Sequence, residues 1–477
     1  MKLTENLEQN VASLKKALCS DDVKYKKIKV GDKNGYIIFV SDLTDKTAVG
    51  ELVIRPAAKI NCVPNEKVLS ETFLSPETEK ETLIEKTAEK IAAGSCALLT
   101  DGVSFSLLFG LKKFDKRAIA EPPTSTVIKG PREGFVESLA VNVSLMRRKL
   151  ASPKLRFKYL TVGEFSNTKV ALCYVNGIAD RKLIDILTEK IKKAKIDAVL
   201  DSSYVTKFLG EHKASLFKQI GNTEKPDVLA AKILEGRIAI LVDGSPIALT
   251  VPYLLIEDFQ SPGDYYNSSY SATFARILRL FAVIISVYLP AIYVSAQLFH
   301  LQFIPLSFLL TIVNSIKGIP LSPSFEMFFT LLIFEILNEA SVRMPKYVGM
   351  VVSIVGGLVL GETAVNAGII SAPALMIIAL SGICLYTVPE LEQTFSILRL
   401  LFLIIGGSFG AFGIIVGSGV LLTYLVSFEN YRTPLLAPFS PLIVQDLKDG
   451  IYKGFTVERR LYPLSLKNVN KRRAKND

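Results

Sequence analysis

Residues 4–18 place Leu7, Val11, Leu14 and Leu18 three or four positions apart among polar neighbours, which predicts a short amphipathic helix. Short apolar clusters then read as strands at 35–40 (GYIIFV), 97–100 and 104–109, with a helical pattern over 77–93. The stretch from Glu121-Pro122-Pro123-Thr124 to Gly130-Pro131 is rich in breakers and marks a boundary between two subdomains. Beyond it the pattern predicts a helix at 132–150 ending in Arg147-Arg148-Lys149, a strand at 169–175, a turn at Asn176-Gly177 and a helix at 180–194. Lys225-Pro226-Asp227 opens a further helix to 235. Two apolar runs, 238–242 and 246–251, are joined by Asp243-Gly244, a strong hairpin signal. Strands alternating with helices predict an α/β or α+β fold for this front part.

After Tyr265-Tyr266 the pattern changes. Apolar runs lie at 278–299, 301–316, 325–338, 347–370, 372–389 and 397–427. A membrane span takes about 20 residues. Runs one, four, five and six meet or approach that length, whereas two and three are short and broken by Pro305, Gly318, Pro320 and Pro323. The chain therefore divides into an N-terminal amphipathic segment (1–30), two soluble subdomains (31–128 and 129–270), an α-helical polytopic membrane domain (271–428) and a basic tail (429–477).

Composition sharpens this division. The 477 residues include 56 Lys+Arg and 45 Asp+Glu, a net of +11, yet 49% are apolar. Residues 277–428 hold only 5 basic and 6 acidic residues, about 7% of that block, against about 28% elsewhere. A simple soluble enzyme is excluded. The front part, 1–275, carries +40 and −34, too dilute and mixed for nucleic acid. It has no secretory signal, so it is expected to stay in the cytoplasm. The tail carries +10 and −5, and the positive-inside rule places both ends there. The number of crossings is then even: four if the short pair does not cross, six if it does, with four favoured. Five cysteines without short spacing and two distant histidines, His212 and His300, give no disulfide framework, metal site or triad. No phosphate-binding loop appears, and neither enzyme activity nor a cofactor is expected.

The segment 347–370 is the most informative. At 100° per residue Gly349, Ser353, Gly356, Gly357, Gly361, Ala364 and Gly368 share one side, a face that lets helices approach closely. Val352, Val355, Val359, Glu362 and Asn366 share the opposite side with Val348. That stripe suits a pore with a hydrophobic constriction and a polar ring, or else a buried helix whose Glu362 is hydrogen-bonded. Glu326, Glu335, Glu339 and Arg343 form a candidate charge network, either an ion pathway or a structural ion-pair cluster, in which Arg343 lies one turn from Glu339. Arg147-Arg148-Lys149 reads most simply as a solvated helix end, and the basic tail as a topology determinant that also touches anionic lipid.

Several segments together resemble a known family. Gly130-Pro-Arg-Glu-Gly-Phe-Val-Glu137 with Asn142 and Arg147-Arg148 is similar to a signature of the A subunits of spore germinant receptors, the GerA family. So are Thr223-Glu-Lys-Pro-Asp227, Leu234-Glu-Gly-Arg237 with Val242-Asp-Gly244, and Gln260-Ser-Pro-Gly-Asp-Tyr-Tyr266. Ile319-Pro320, Phe334-Glu335, Glu339-Ala340 and Val352-Ser-Ile-Val-Gly-Gly-Leu-Val-Leu-Gly361 continue the pattern. Two positions depart from it: Asn338 stands where the family usually has Arg, and Lys218 interrupts Phe217-Lys218-Gln219.

The resemblance implies a multi-pass protein of the spore inner membrane with both termini on the spore-core side. It implies a transporter-like B subunit that binds the nutrient, a lipoprotein C subunit, and a homo-oligomer, by family pattern a pentamer, acting as a ligand-gated cation channel in membrane lipid. Under this resemblance the valine stripe becomes the natural pore liner. A non-conducting scaffold and an auxiliary channel paralogue of the same family stay open as alternatives.

Overall fold

The expected N-terminal stripe forms α1 (Leu7–Leu18), capped by Asn6, whose side chain accepts a hydrogen bond from the Gln9 backbone N–H. The chain is described by a computed structural model over residues 1–60, 62–64, 66–73, 77–113, 129–344, 359, 361–454, 462–466 and 468. β1 (Val23–Val30) and β2 (Lys33–Val40) form a hairpin turned at Gly31, whose φ of 59° favours glycine. β3 (Thr78–Glu81), α2 (Ile84–Ala92), β4 (Cys96–Thr100) and β5 (Ser106–Phe109) complete an antiparallel sheet of order β1-β2-β4-β5-β3. Leu7, Val11, Leu14 and Leu18 pack with Ile84, Ala88 and Ile91 of α2 on one face of it. Residues 1–30, expected as a separate segment, are thus built into this first unit. The helix expected over 77–93 begins with a strand, because the polar run Thr78–Glu81 lies at a sheet edge and shows no apolar alternation.

A second unit repeats the plan. α3 (Leu139–Lys149) precedes the hairpin of β6 (Leu155–Val162) and β7 (Thr168–Val175). α4 (Arg181–Lys193), α5 (Ser202–Leu209), β8 (Gly221–Thr223) and α6 (Pro226–Leu234) lead to the hairpin of β9 (Ile238–Val242) and β10 (Ala248–Val251). The order β6-β7-β9-β10-β8 is that of the first sheet, strand for strand, and again antiparallel throughout. In both units the helix before the sheet packs on the helix before the fourth strand. α3 starts later than the sequence suggested, since Pro131 and Gly134 keep 132–137 out of the helix.

The units are joined by a buried ion pair. Arg147 Nε and Nη2 donate to Asp22 Oδ2 and Oδ1 at 2.8 and 2.9 Å, and its guanidinium lies 5.0 Å from the Phe157 ring centre. Ser20 Oγ accepts from Phe157 N, and Tyr159 N donates to Asp21 Oδ2. Arg147 is therefore an interior strut, which corrects the expectation of a solvated helix end. Arg148 and Lys149 do remain partly exposed, paired with Glu133.

The apolar part consists of α7 (Ser269–Phe299), α8 (Leu306–Ile316), α9 (Pro323–Arg343), a helical segment at 361–366, α10 (Ala372–Leu385) and α11 (Glu392–Ser427). Two stretches among the described residues, Ser269–Phe299 and Pro389–Ser427, are long and apolar enough to cross a membrane. The second is not one rod. Gly410 breaks it at φ 63°, ψ −153°, and a Cβ on Gly417 would lie 3.2 Å from Phe402. Thr394 donates to Leu216 O and Tyr424 donates to Ser215 Oγ, so residues 30 positions apart reach one loop. A straight helix would separate them by about 45 Å. α11 is a hairpin of two arms, 392–409 and 411–427.

The other helices run between the same two ends. α7 leaves the second sheet unit and reaches Gly410 through Phe299. α9 starts there, with Ser324 against Gly407, and ends where Asn338 Nδ2 donates to Glu392 Oε1 at 2.7 Å. Ser371 lies at the far end, where it donates its N–H to Glu326, and α10 runs from there towards the second sheet unit. α8 stays at the far end. Among the described residues α7, α9, α10 and the two arms of α11 run between the two ends; the third apolar run is long enough to do so as α9, and the sixth folds back on itself.

Candidate functional site

The quoted signature segments, scattered from 130 to 266, meet where the second sheet unit joins the helices. Lys225 is wholly buried and its Nζ donates to Pro131 O at 2.8 Å, while Phe135 N donates to Glu224 O. Tyr266 OH donates to Asp227 Oδ2 at 2.5 Å, and its ring covers Gly130 so closely that a Cβ there would lie 2.6 Å away. Asn142 clamps Val136 through both its amide oxygen and nitrogen.

Glu257 is the electrostatic centre. Its Oε1 accepts from Leu254 N at 2.9 Å, Arg237 Nη2 lies 3.1 Å away, and Lys232 Nζ lies 2.8 Å from Oε2. Burial pushes its carboxyl pKa up, but Arg237 and then Lys232 outweigh this and hold it below the ordinary range. For its neighbour Asp258 burial wins over Lys218, and the pKa is raised. Asp227, Lys232, Arg237, Arg279 and Glu390 line a cavity of about 520 Å³ between the sheet unit and the helices.

Two further contacts fix the helices to this junction. Asp264 receives Arg276 at 3.3 Å and Arg279 at 2.7 and 2.9 Å, and Arg276 Nη1 also donates to Asp449 O and Gly450 O. The loop 211–219 grips both arms of α11: Lys218 pairs with Glu390 at 2.6 Å, the Phe217 ring lies 6.2 Å from Tyr424, and His212 Nε2 lies 2.9 Å from Glu429 O. The tail is drawn in as well, through β11 (Glu429–Asn430), β12 (Thr433–Pro434) and the bond from Tyr431 N to Glu211 Oε2.

The candidates in the apolar part are placed as follows. Val352, Val355, Gly349, Ser353, Gly356 and Gly357 lie outside the described residues. Val359, Glu362 and Asn366 are exposed on the protomer. Gly361 is buried against Leu375 of α10, and Ala364 packs with Ile370 and Ala374. The four-residue charge network separates into three parts. Glu326 is buried and accepts from Ser371 N at 2.6 Å. Glu335 pairs with Arg399 at 2.5 Å, and Arg399 also donates to Ser381 Oγ, which donates to Ser286 O. Glu339 and Arg343 form an exposed i,i+4 pair at 2.5 Å. Nine residues of helix, about half a turn out of phase, put Glu326 and Glu335 on opposite faces of α9.

Residues 5–460 match the family model described as Bacillus/Clostridium GerA spore germination protein. The chain belongs to the GerA family. It is 34% identical to spore germination protein KA of Bacillus subtilis (strain 168), over 94% of this chain and 85% of that one. It is 35% identical to the uncharacterized membrane protein YfkQ of the same organism, over 96% and 90%. Among solved structures, the N-terminal domain of the A subunit of the Bacillus megaterium spore germinant receptor GerK3 aligns at 26% identity with a TM-score of 0.43, covering 53% of this chain and 97% of that one. Membership supports a role in spore germination.

In this GerA-family chain the sequence reading overlooked Arg399. Its signal was available: no other basic residue stands between Lys346 and Arg432, and a lone charge in an apolar helix needs a partner. Asn338, one of the two departures from the family pattern, bonds Glu392 in place of a charge pair. Lys218, the other, is the junction cation that reaches Glu390.

Proposed function

We propose that this chain is the A subunit of a nutrient germinant receptor in the spore inner membrane. Copies of it oligomerise, as a pentamer, into a cation channel that opens when germinant is sensed and so triggers germination. Its partners are a transporter-like B subunit and a lipoprotein C subunit. Six segments cross the bilayer, with both termini on the cytoplasmic, spore-core side.

The observation that carries the reading is the two-sidedness of the helix segment at 361–366. Gly361 and Ala364 pack inward while Val359, Glu362 and Asn366 point off the protomer. A carboxylate and an amide are costly against lipid, so this face fits a watery axis shared by several copies. By their spacing in the sequence Val352 and Val355 belong to the same stripe, which we assign as a hydrophobic gate, and Gly349, Ser353, Gly356 and Gly357 to the packing face. In this reading Glu326, Glu335, Glu339 and Arg343 brace the helices and stand off the ion path. The +10, −5 tail agrees with both ends inside.

Val359→Ala widens the gate and is expected to make spores germinate without nutrient, while Glu362→Gln lowers cation flux in proteoliposomes. Dormant Val359→Ala spores that respond normally to nutrient would overturn the gate. Purified chain giving neither flux nor a ring-shaped oligomer would favour a scaffold. An auxiliary channel paralogue of the same family is the other reading: its deletion would slow the response to every nutrient, and that of a receptor subunit the response to one.

A further inference from the structure

The tail carries an apolar loop whose outer side is left uncovered. From Thr433 to Gln445 (TPLLAPFSPLIVQ) there is no charged residue. The inner side chains do the packing: Leu435 joins the core with Tyr253 and Val388, and Ala437 packs on Leu254. The outer ones are left bare, with Leu442 68%, Val444 70% and Phe439 39% exposed, and Pro441 exposed between them. Three large apolar side chains within six residues are more than a water-facing loop ordinarily shows.

The position of the loop is fixed. Arg276 on α7 holds Asp449 and Gly450, and a Cβ on Gly450 would lie 3.8 Å from Phe439 Cζ. Lys453 Nζ donates to Asp264 O and Asn267 O, just before α7 begins. The loop therefore stands beside the first turns of α7, whose outward side chains Tyr270, Phe274, Leu278 and Phe281 are all exposed. Tyr265 and Tyr452 are exposed at the same level. Tyrosines collected at one level of an apolar helix bundle suit the boundary between headgroups and acyl chains.

We infer that Pro438–Val444 is an interfacial anchor that inserts Phe439, Leu442 and Val444 into the lipid surface around α7. The depth is that of a peripheral apolar segment, about 5–10 Å below the headgroups. The inference rests on the membrane-spanning reading above, and its test separates the two.

The chain contains no tryptophan, so a single introduced Trp reports one position. Full-length Leu442→Trp, with Val444→Trp as a replicate, is reconstituted in phospholipid vesicles whose acyl chains are brominated either near the headgroup or near the chain end. Ile292→Trp within the apolar run of α7 and Phe165→Trp on the β6–β7 turn serve as deep and water-facing references. The expected result is blue-shifted Leu442→Trp emission, quenched more by bromine near the headgroup, with Ile292→Trp quenched more by bromine near the chain end. If Ile292→Trp is quenched but Leu442→Trp behaves like Phe165→Trp, the anchor is wrong and the spanning reading stands. Blue-shifted Leu442→Trp that no brominated lipid quenches means that protein covers the loop, and this also overturns the anchor. If Ile292→Trp itself escapes quenching, the spanning reading fails and the anchor with it.

Discussion

The two five-stranded units share one strand order but are fixed in the molecule differently. The first is docked on the second through a compact polar contact centred on Arg147 and Asp22. The second carries a spread of contacts to the helices and the tail: Lys218 to Glu390, Leu216 O to Thr394, Glu211 to Tyr431 and Glu235 O to Asn468. The sheets are equivalent, and the loops are not. A repeated fold thus supplies two similar platforms, and the residues grafted on one of them make it the mount for the helices.

The largest test of that contrast is to cut the contact between the units. Arg147 and Asp22 are both buried, so Arg147→Ala strands a carboxylate and is expected to cost about 3–5 kcal/mol of docking. Hydrogen exchange on the full chain should show the amides of Asp21 and Tyr159 losing protection while Ile240 and Leu249 in the second sheet keep theirs. Loss throughout both sheets would mean that the units form one cooperative body, and the contrast would dissolve. Arg147→Lys should recover only part of the protection, since an ammonium cannot match the two-oxygen geometry.

Residues that pack with their own neighbours were legible in the sequence. Leu7, Val11, Leu14 and Leu18 announced α1 by spacing alone, and Asp243-Gly244 announced the β9–β10 hairpin. What escaped depends on distant partners. Arg147 sits in a run of three cations, which by pattern is a solvated helix end, and its carboxylate lies 125 residues away. The repeat of strand order escaped because β3 and β8 are short polar edge strands with no apolar alternation. The reversal at Gly410 was hidden among Gly406, Gly407, Gly413 and Gly417, since a glycine-rich apolar run reads equally as a packing stripe. Much of the valine stripe lies outside the described residues, so its pore role stands as a proposal.

The second test acts on the mount. Glu257 keeps a lowered pKa because Arg237 and Lys232 outweigh its burial. A depressed carboxylate stabilises the folded state fully above its unfolded value, and that contribution is lost as pH falls through the folded one. Thermal unfolding of the full chain in detergent should therefore weaken below the ordinary glutamate range. Glu257→Gln retains the bond from Leu254 N but leaves two cations unmatched, costing about 1–3 kcal/mol at neutral pH. The variant should also show a flatter acid limb. An unchanged acid limb would move the pH sensitivity elsewhere.

The smallest effect belongs to the contact between the loop 211–219 and the chain just before α11. Lys218 lies between Asp258 and Glu390, 3.5 and 2.6 Å away, with its own side chain 21% and that of Glu390 43% exposed. Water screens the pair with Glu390, and the buried Asp258 keeps the bond from Tyr253 OH, so Lys218→Met is expected to change stability by only about 0–1 kcal/mol. Its consequence should be local, because Phe217–Tyr424 packing and the bond from Thr394 to Leu216 O still hold both arms of α11. Hydrogen exchange should rise at Glu390–Thr394 and stay unchanged at the Arg147–Asp22 contact. If Lys218→Met instead loosens both sheet units, the loop 211–219 holds the soluble part together as well, and the division between a docked unit and a mounting unit is drawn in the wrong place.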